Sequence, residues 1–129
     1  MSDPFLDAMH AAGVAPDRFG HRDHVRVTWL LLARHGCDAG SDAFVGGLRR
    51  FAAAHGVGER YHETLTRFWL RLIAHAMHER PELADPDAFV DAFPLLLDKS
   101  LPERHWSPAL LWSDDARRAF VEPDLLALP

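Results

Sequence analysis

The sequence predicts an all-α protein: a compact single-domain helical bundle of about four main helices under an irregular, short-helical C-terminal cover. Apolar residues recur at every third or fourth position in several segments, as on the buried face of a helix. Runs of alternating polarity and Asn-Gly hairpin turns, which indicate strands, are lacking. With 129 residues, of which 48% are hydrophobic and 26% charged, the chain has the size and composition of one domain, 1–129.

The first two predicted helices are bounded by capping residues and glycines. The first is expected from about His24 to His35, with Asp23 as a suitable N-cap and Gly36 placed to end it. The second is expected to begin after Ser41, a good cap, and to end at Gly56. Its apolar side chains recur every three or four residues.

The third predicted helix, over about residues 59–79, has the widest apolar face. That face consists of Tyr61, Leu65, Phe68, Trp69, Leu72, Ile73 and Ala76. Asp85 and Pro86 then have the residue types of an N-cap and a first helical position, so a short fourth helix is expected before Pro94. In the tail, Ser107 and Ser113 are placed to begin two short helices.

Charge and cysteine content limit the classes of partner and compartment. The net charge of −5 provides no positive field for nucleic acid or an anionic membrane, so we expect neither as a partner. Cys37 is the single cysteine, which excludes an intramolecular disulfide. No apolar run has the length of a signal peptide or a membrane span, and a cytoplasmic protein is expected.

Histidine is the unusual count, at nine against one tyrosine and one cysteine. His21 and His24 are three residues apart at a predicted helix start, where two imidazoles lie about 60° apart and can reach one ion. By helical phase, His62 lies on the arc of Leu65 and the core. Glu63 lies nearly opposite, four residues before Arg67, and predicts an exposed ion pair.

His24 and His62 are therefore polar residues near the first turns of two helices that otherwise have buried faces. Because a buried polar group without a partner costs on the order of 1–3 kcal/mol, a shared metal would satisfy both imidazoles. We therefore predict a metal centre of His21, His24 and His62 between the first and third predicted helices. Imidazole ligands suit copper, iron or zinc. The sequence indicates no organic cofactor.

The function expected from such a centre is a metal-dependent enzyme acting on a small molecule. Tyr61, Thr66 and Arg26 are the candidate residues that would position the substrate. Metal-free acid–base catalysis by His24 or His62 is an alternative.

Structural roles for the histidines are a further alternative. His21 would then be a solvated loop residue, and His24 a partly buried residue with its hydrogen bonds satisfied. His62 would be a core residue bonded to a backbone carbonyl or a hydroxyl. The chain as a whole would be a non-catalytic helical module that binds a partner protein.

Two segments resemble a family of small, largely uncharacterised bacterial proteins with Phe-x-His-x-Asp-His-x-Arg and Tyr-His-Glu-Thr-x-Thr motifs. Here these motifs are Phe19, His21, Asp23, His24 and Arg26, then Tyr61, His62, Glu63, Thr64 and Thr66. A third block, from Ser113 to Asp124, is also similar to that family. The resemblance supports the helical fold and the location of the site. It also implies that Arg117 and Asp124 lie at the pocket rim or tie down the C-terminal cover.

Overall fold

The computed structural model describes residues 3–129, and within that range all regular secondary structure is helical. Met1 and Ser2, which the predicted domain includes, lie outside the described residues. The α-helices are α1 (Pro4–Ala11), α2 (His21–His35), α3 (Cys37–Ala54), α4 (Glu63–Glu79), α5 (Pro86–Ala92), α6 (Pro108–Leu111) and α7 (Asp114–Arg118). Short 3-10 helices span Pro16–Arg18, Gly58–Arg60, Pro94–Leu97 and Leu101–Arg104. The all-α prediction is confirmed.

The starts of α2 and α3 differ from the prediction. Helix α2 already begins at His21 after Gly20, so Asp23 lies in its first turn and the predicted cap is wrong. Helix α3 begins at Cys37, which places the predicted cap Ser41 inside the helix. The early start of α3 is explained by Gly36, whose φ of 84° allows the chain to leave α2 and enter α3 within one residue.

Other helix starts follow their capping residues. Asp85, Ser107 and Ser113 accept hydrogen bonds from the backbone three residues ahead, as predicted for α5, α6 and α7. Helix α1 was not predicted, although Asp3 before Pro4 has the same cap-and-proline pattern as α5. Helix α4 begins at residue 63, later than expected, because residues 58–60 form a separate 3-10 helix.

Helix α2, the first predicted helix, is at the centre of the bundle and contacts α1, α3, α4 and α5. The apolar core has three parts. One joins α1, α2 and α3, another joins α2, α4 and α5, and the third joins α4 to the C-terminal segment. In the described part of the chain, none of the helices combines the length and apolarity needed to cross a bilayer.

Two adjacent glycines of α3 provide a matched test of this packing. A Cβ at Gly47 would overlap the ring of Phe5 in α1, whereas a Cβ at Gly46 would meet only the flexible end of Arg50, 3.2 Å away. We expect Gly47→Ala to lower the free energy of unfolding by about 1–3 kcal/mol through overpacking. Gly46→Ala should leave it unchanged or raise it by up to about 1 kcal/mol, since alanine favours helix. Urea unfolding measures both, and equal losses would contradict the packing of α1 on α3.

Candidate functional site

A cavity of about 490 Å³ lies between α2, α3, α4 and the C-terminal segment. Most of its wall is apolar, formed by Phe19, Val25, Phe44, Leu48, Phe51, Ala52, Val57, Leu65, Trp69, Ile73, Pro102, Leu111 and Trp112. Its polar residues are His21, His24, Thr28, Arg60, Tyr61, His62, Thr66, Lys99 and Glu103. The cavity therefore brings together all the predicted site residues except Arg26.

His24 is held between aromatic rings. Its imidazole stacks on Phe19, with 4.1 Å between ring centroids, and meets the edge of Phe44 at 6.1 Å. Burial lowers the pKa of His24 to about 4, the charges of His21 and Lys99 act in the same direction, and Asp23 opposes them. The imidazole is therefore uncharged at neutral pH, with one donor and one acceptor nitrogen. Within residues 3–129, neither nitrogen has a hydrogen-bond partner.

His21 is the first residue of α2 and has one ring nitrogen occupied. Its Nε2 lies 2.7 Å from the carbonyl oxygen of Leu96, which can only accept, so Nε2 donates. Nδ1 then carries the lone pair. The ring meets Trp69 edge-on at 4.5 Å. Burial, assisted by the charge of Lys99, lowers the pKa of His21 below its ordinary value. The alternative of a solvated loop residue is wrong.

His62 has both ring nitrogens occupied by backbone groups. It is the N-cap of α4, and its Nδ1 accepts from the amide of Leu65 at 3.1 Å. Its Nε2 donates to the carbonyl oxygen of Leu111 at 2.6 Å. This arrangement matches the alternative interpretation of the sequence, in which His62 is a core residue bonded to a backbone carbonyl. To bind a metal, His62 would have to release one of these hydrogen bonds.

A three-histidine metal centre therefore requires a different arrangement of His62. Among the described residues, no group of three or more His, Cys, Asp or Glu side chains is placed to hold a metal ion. His21 and His24 both line the cavity and each has a ring nitrogen free of backbone bonding. The metal centre stays a prediction. Of its three predicted ligands, His21 and His24 are the two that have a ring nitrogen available for a metal.

Tyr61 and Thr66 line the cavity, and each donates its hydroxyl hydrogen to another group of the protein. Tyr61 donates to Glu63 Oε1 at 2.6 Å, and Arg67 Nε donates to Oε2 of the same carboxylate at 3.0 Å. The predicted pair of Glu63 and Arg67 is confirmed, although only 16% of the Glu63 side chain is exposed. Burial and then the bond to Glu63 raise the pKa of Tyr61, which stays protonated. Thr66 donates to the carbonyl oxygen of His62 at 2.8 Å and keeps its oxygen as an acceptor.

Arg26 does not line the cavity, so the geometry does not support its predicted role in positioning a substrate. Its guanidinium donates to the carbonyl oxygen of Ala12 at 2.7 Å and to Asp23 at 3.1 Å. Its Nε lies 3.1 Å from Asp87 Oδ1, close enough for an ion pair but not aligned for a hydrogen bond. Arg26 therefore joins the chain after α1 to α2 and α5.

The C-terminal cover is attached to the first turn of α4. Thr64 is fully buried, and its hydroxyl lies 2.7 Å from the carbonyl oxygen of Ala116 and 3.1 Å from that of Ala119. The same oxygen accepts from the amide of Val121 at 3.2 Å. Together with the bond from His62 to Leu111, these contacts give the Tyr-His-Glu-Thr-x-Thr segment a structural role.

The residues that the family resemblance implied lie in the cover. Asp124 accepts from the amide and the hydroxyl of Ser107 at 2.7 and 2.6 Å, which ties the tail to the start of α6. The Arg117 guanidinium lies 5.7 Å from the ring centroid of Trp112, a cavity-lining residue, and so lies near the rim. His105 is buried and donates to the carbonyl oxygen of Leu126 at 2.8 Å.

Three charged residues that line the cavity were not predicted from the sequence: Arg60, Lys99 and Glu103. All three are exposed and so lie at the opening of the cavity. One feature of the sequence could have drawn attention to Lys99: of the 14 basic residues, lysine and arginine together, it is the one lysine. Its position beside α2 depends on the path of the chain after α5, which the sequence pattern does not define.

Replacing His62 should cost stability. His62→Ala leaves the carbonyl of Leu111 without its donor and removes the cap of α4, so we expect the free energy of unfolding to fall by about 1–3 kcal/mol. The control is His75→Ala on the same helix, where the side chain is 48% exposed and the change should stay within about 0.5 kcal/mol. Urea unfolding measures both variants. If His62→Ala keeps its stability but loses a stoichiometric metal, the three-histidine centre is supported instead.

Stability should fall as the pH is lowered from about 6.5 to about 4. The imidazole of His24 binds its proton near pH 6.5 in the unfolded chain and only near pH 4 in the folded one, so the unfolded state holds more protons in this interval. His24 alone then contributes a slope of up to about 1.4 kcal/mol per pH unit. The lowered pKa values of His21 and His62 act in the same direction.

Urea unfolding across this pH range, with His24→Phe beside the natural chain, measures the contribution of His24. Phenylalanine keeps an aromatic ring against Phe19 but does not titrate, so the stability of the variant should depend less steeply on pH. Parallel curves for the two proteins would show that His24 titrates near its ordinary value.

Comparison with known proteins gives no match to a protein family, to a curated protein or to a solved structure. What the cavity can do is therefore derived from its own side chains. These are three uncharged imidazoles, those of His21, His24 and His62, within a largely apolar wall, with charged groups at the opening.

Proposed function

We propose that this protein binds a small, largely apolar molecule in the cavity and that His24 forms a hydrogen bond with the polar group of that molecule. The volume of about 490 Å³ lies within the range of roughly 300–1,000 Å³ that is usual for small-molecule sites. An apolar wall with a few convergent polar groups is also the usual composition of such sites.

The observation that carries the proposal is the unpartnered imidazole of His24. In the described part of the chain, Arg26 Nε is the one buried side-chain nitrogen or oxygen without a hydrogen bond, so the unpartnered nitrogens of His24 stay accessible. Because His24 lines the cavity, a molecule seated there can form a hydrogen bond with its ring. Because the pKa of His24 is about 4, the ring is a weak base at neutral pH. Its part in the proposal is therefore hydrogen bonding rather than proton abstraction.

Binding of the neutral fluorophore N-phenyl-1-naphthylamine tests the proposal. We expect saturable binding at one site, measured by fluorescence and by calorimetry. Ala52→Phe fills the cavity from α3 and should weaken binding at least about tenfold, since an aromatic side chain would occupy the volume of the ligand. Ala53→Phe, on the exposed face of the same helix, is the matched control and should bind as the natural chain does.

His24→Phe tests the part of the proposal that concerns the imidazole. The variant keeps a ring stacked on Phe19 but removes the hydrogen bond, so affinity for the amine-bearing probe should fall about three- to tenfold. Binding that survives Ala52→Phe unchanged would place the probe outside the cavity and contradict the proposal.

A metal-dependent reaction is the second candidate, and one observation favours it. His21 and His24 are both uncharged and each has a ring nitrogen free of backbone bonding, which is the form in which imidazole ligates a metal. A metal held by these two residues would keep open positions for a substrate or water. Metal analysis of protein purified without a polyhistidine tag separates the candidates: stoichiometric metal that His24→Phe releases favours the second.

A further inference from the structure

Lys99 provides a positive charge at the opening of the cavity that no carboxylate balances. In the part of the chain that the structure describes, no carboxylate lies within ion-pair distance of Lys99. Its neighbour Asp98 accepts from the hydroxyl and the amide of Ser100 at 2.6 and 2.9 Å. Asp23, near His24, is paired with Arg26. The ammonium group of Lys99 therefore stays available to a ligand.

Lys99 lines the same cavity as His21 and His24 and follows by three residues Leu96, whose carbonyl oxygen lies 2.7 Å from His21 Nε2. In agreement with this position, its charge lowers the pKa of His21 and of His24. The remaining charged lining residues are Arg60 and Glu103, so the lining contains two cations and one carboxylate. A ligand seated in the cavity would meet a net positive opening above an apolar interior.

We propose that the ligand is an amphiphilic anion whose apolar body fills the cavity and whose acidic group pairs with the ammonium of Lys99. This inference rests on the proposed function, since it assigns the chemical class of the molecule bound there. The N–H of the uncharged His24 ring is the second donor available to the acidic group. A carboxylate or sulfonate accepts from both donors, and charge-assisted hydrogen bonds of this kind are stronger than neutral ones.

A matched pair of probes isolates the acidic group. N-phenyl-1-naphthylamine is neutral, and 8-anilinonaphthalene-1-sulfonate adds one sulfonate to the same aromatic framework. At low ionic strength we expect the sulfonate to bind about three- to tenfold more tightly, and added salt should reduce this advantage, because Lys99 is exposed to solvent. The measurement is calorimetry with both probes at two salt concentrations.

Variants assign the advantage to Lys99. Lys99→Gln should remove the preference, so that the sulfonate and the neutral probe bind with similar affinity, whereas Lys99→Arg should keep the preference. Arg104→Gln is the control, because Arg104 is an exposed cation of the neighbouring 3-10 helix that does not line the cavity. Loss of the preference in Arg104→Gln as well would reveal a general charge effect and overturn the inference.

The single lysine also allows a chemical readout. Acetylation of the Lys99 amine by an N-hydroxysuccinimide ester, followed by peptide mass, reports on this one side chain. We expect the bound sulfonate to slow the reaction and the neutral probe to slow it less. Equal protection by the two probes would overturn the inference.

The outcomes separate the two proposals. If the neutral probe binds in the cavity and the sulfonate binds no more tightly, the inference fails while the proposed function stands. If neither probe binds, or if both still bind to Ala52→Phe, the proposed function fails and the inference fails with it.

Discussion

Buried hydrogen bonds between the first turn of α4 and the carbonyl groups of the C-terminal cover hold the cavity together. His62 bonds to Leu111, and Thr64 bonds to Ala116 across 52 residues of sequence. These carbonyl groups lie outside long helices, so they need side-chain donors once they leave water. Because Leu111 also lines the cavity, the same bonds that satisfy the backbone fix one wall of the site. The shape of the cavity thus depends on polar side chains whose hydrogen bonds are already made within the protein.

The cavity favours uncharged imidazoles for reasons that reinforce one another. Burial beside aromatic rings disfavours the charged form of His24, and the neighbouring ammonium of Lys99 disfavours a second positive charge. His21 receives the same influences and commits its one proton to a backbone carbonyl. The two imidazoles therefore provide hydrogen-bonding groups without net charge, and the charged side chains lie at the opening of the cavity. This separation is suited to a molecule with a distinct polar end.

The sequence predicted those features that depend on local chemistry. Caps such as Asp85 and Ser113, the apolar face of α4 and the pair of Glu63 with Arg67 follow from spacing alone, and all are present. The convergence of His21, His24 and His62 on one cavity was also predictable from the two helix faces.

Features that depend on the tertiary path of the chain could not be predicted. Nothing in the spacing of His62 shows that a carbonyl 49 residues away would take its second nitrogen. The position of Lys99 beside α2 could likewise not be predicted, because it depends on the irregular segment after α5. In α1, by contrast, the cap-and-proline signal of Asp3 and Pro4 was present in the sequence and was overlooked.

His62 serves at once as the cap of α4 and as the anchor of a distant segment, and this double role has a consequence for the order of folding. The cap forms among residues adjacent in sequence, whereas the anchor requires the closure of a loop of 49 residues, which costs chain entropy. We therefore expect the bundle of α2, α3 and α4 to assemble early and the cover to dock late. Until it docks, the imidazole of His62 still has a free nitrogen, and the nascent cavity is an open groove.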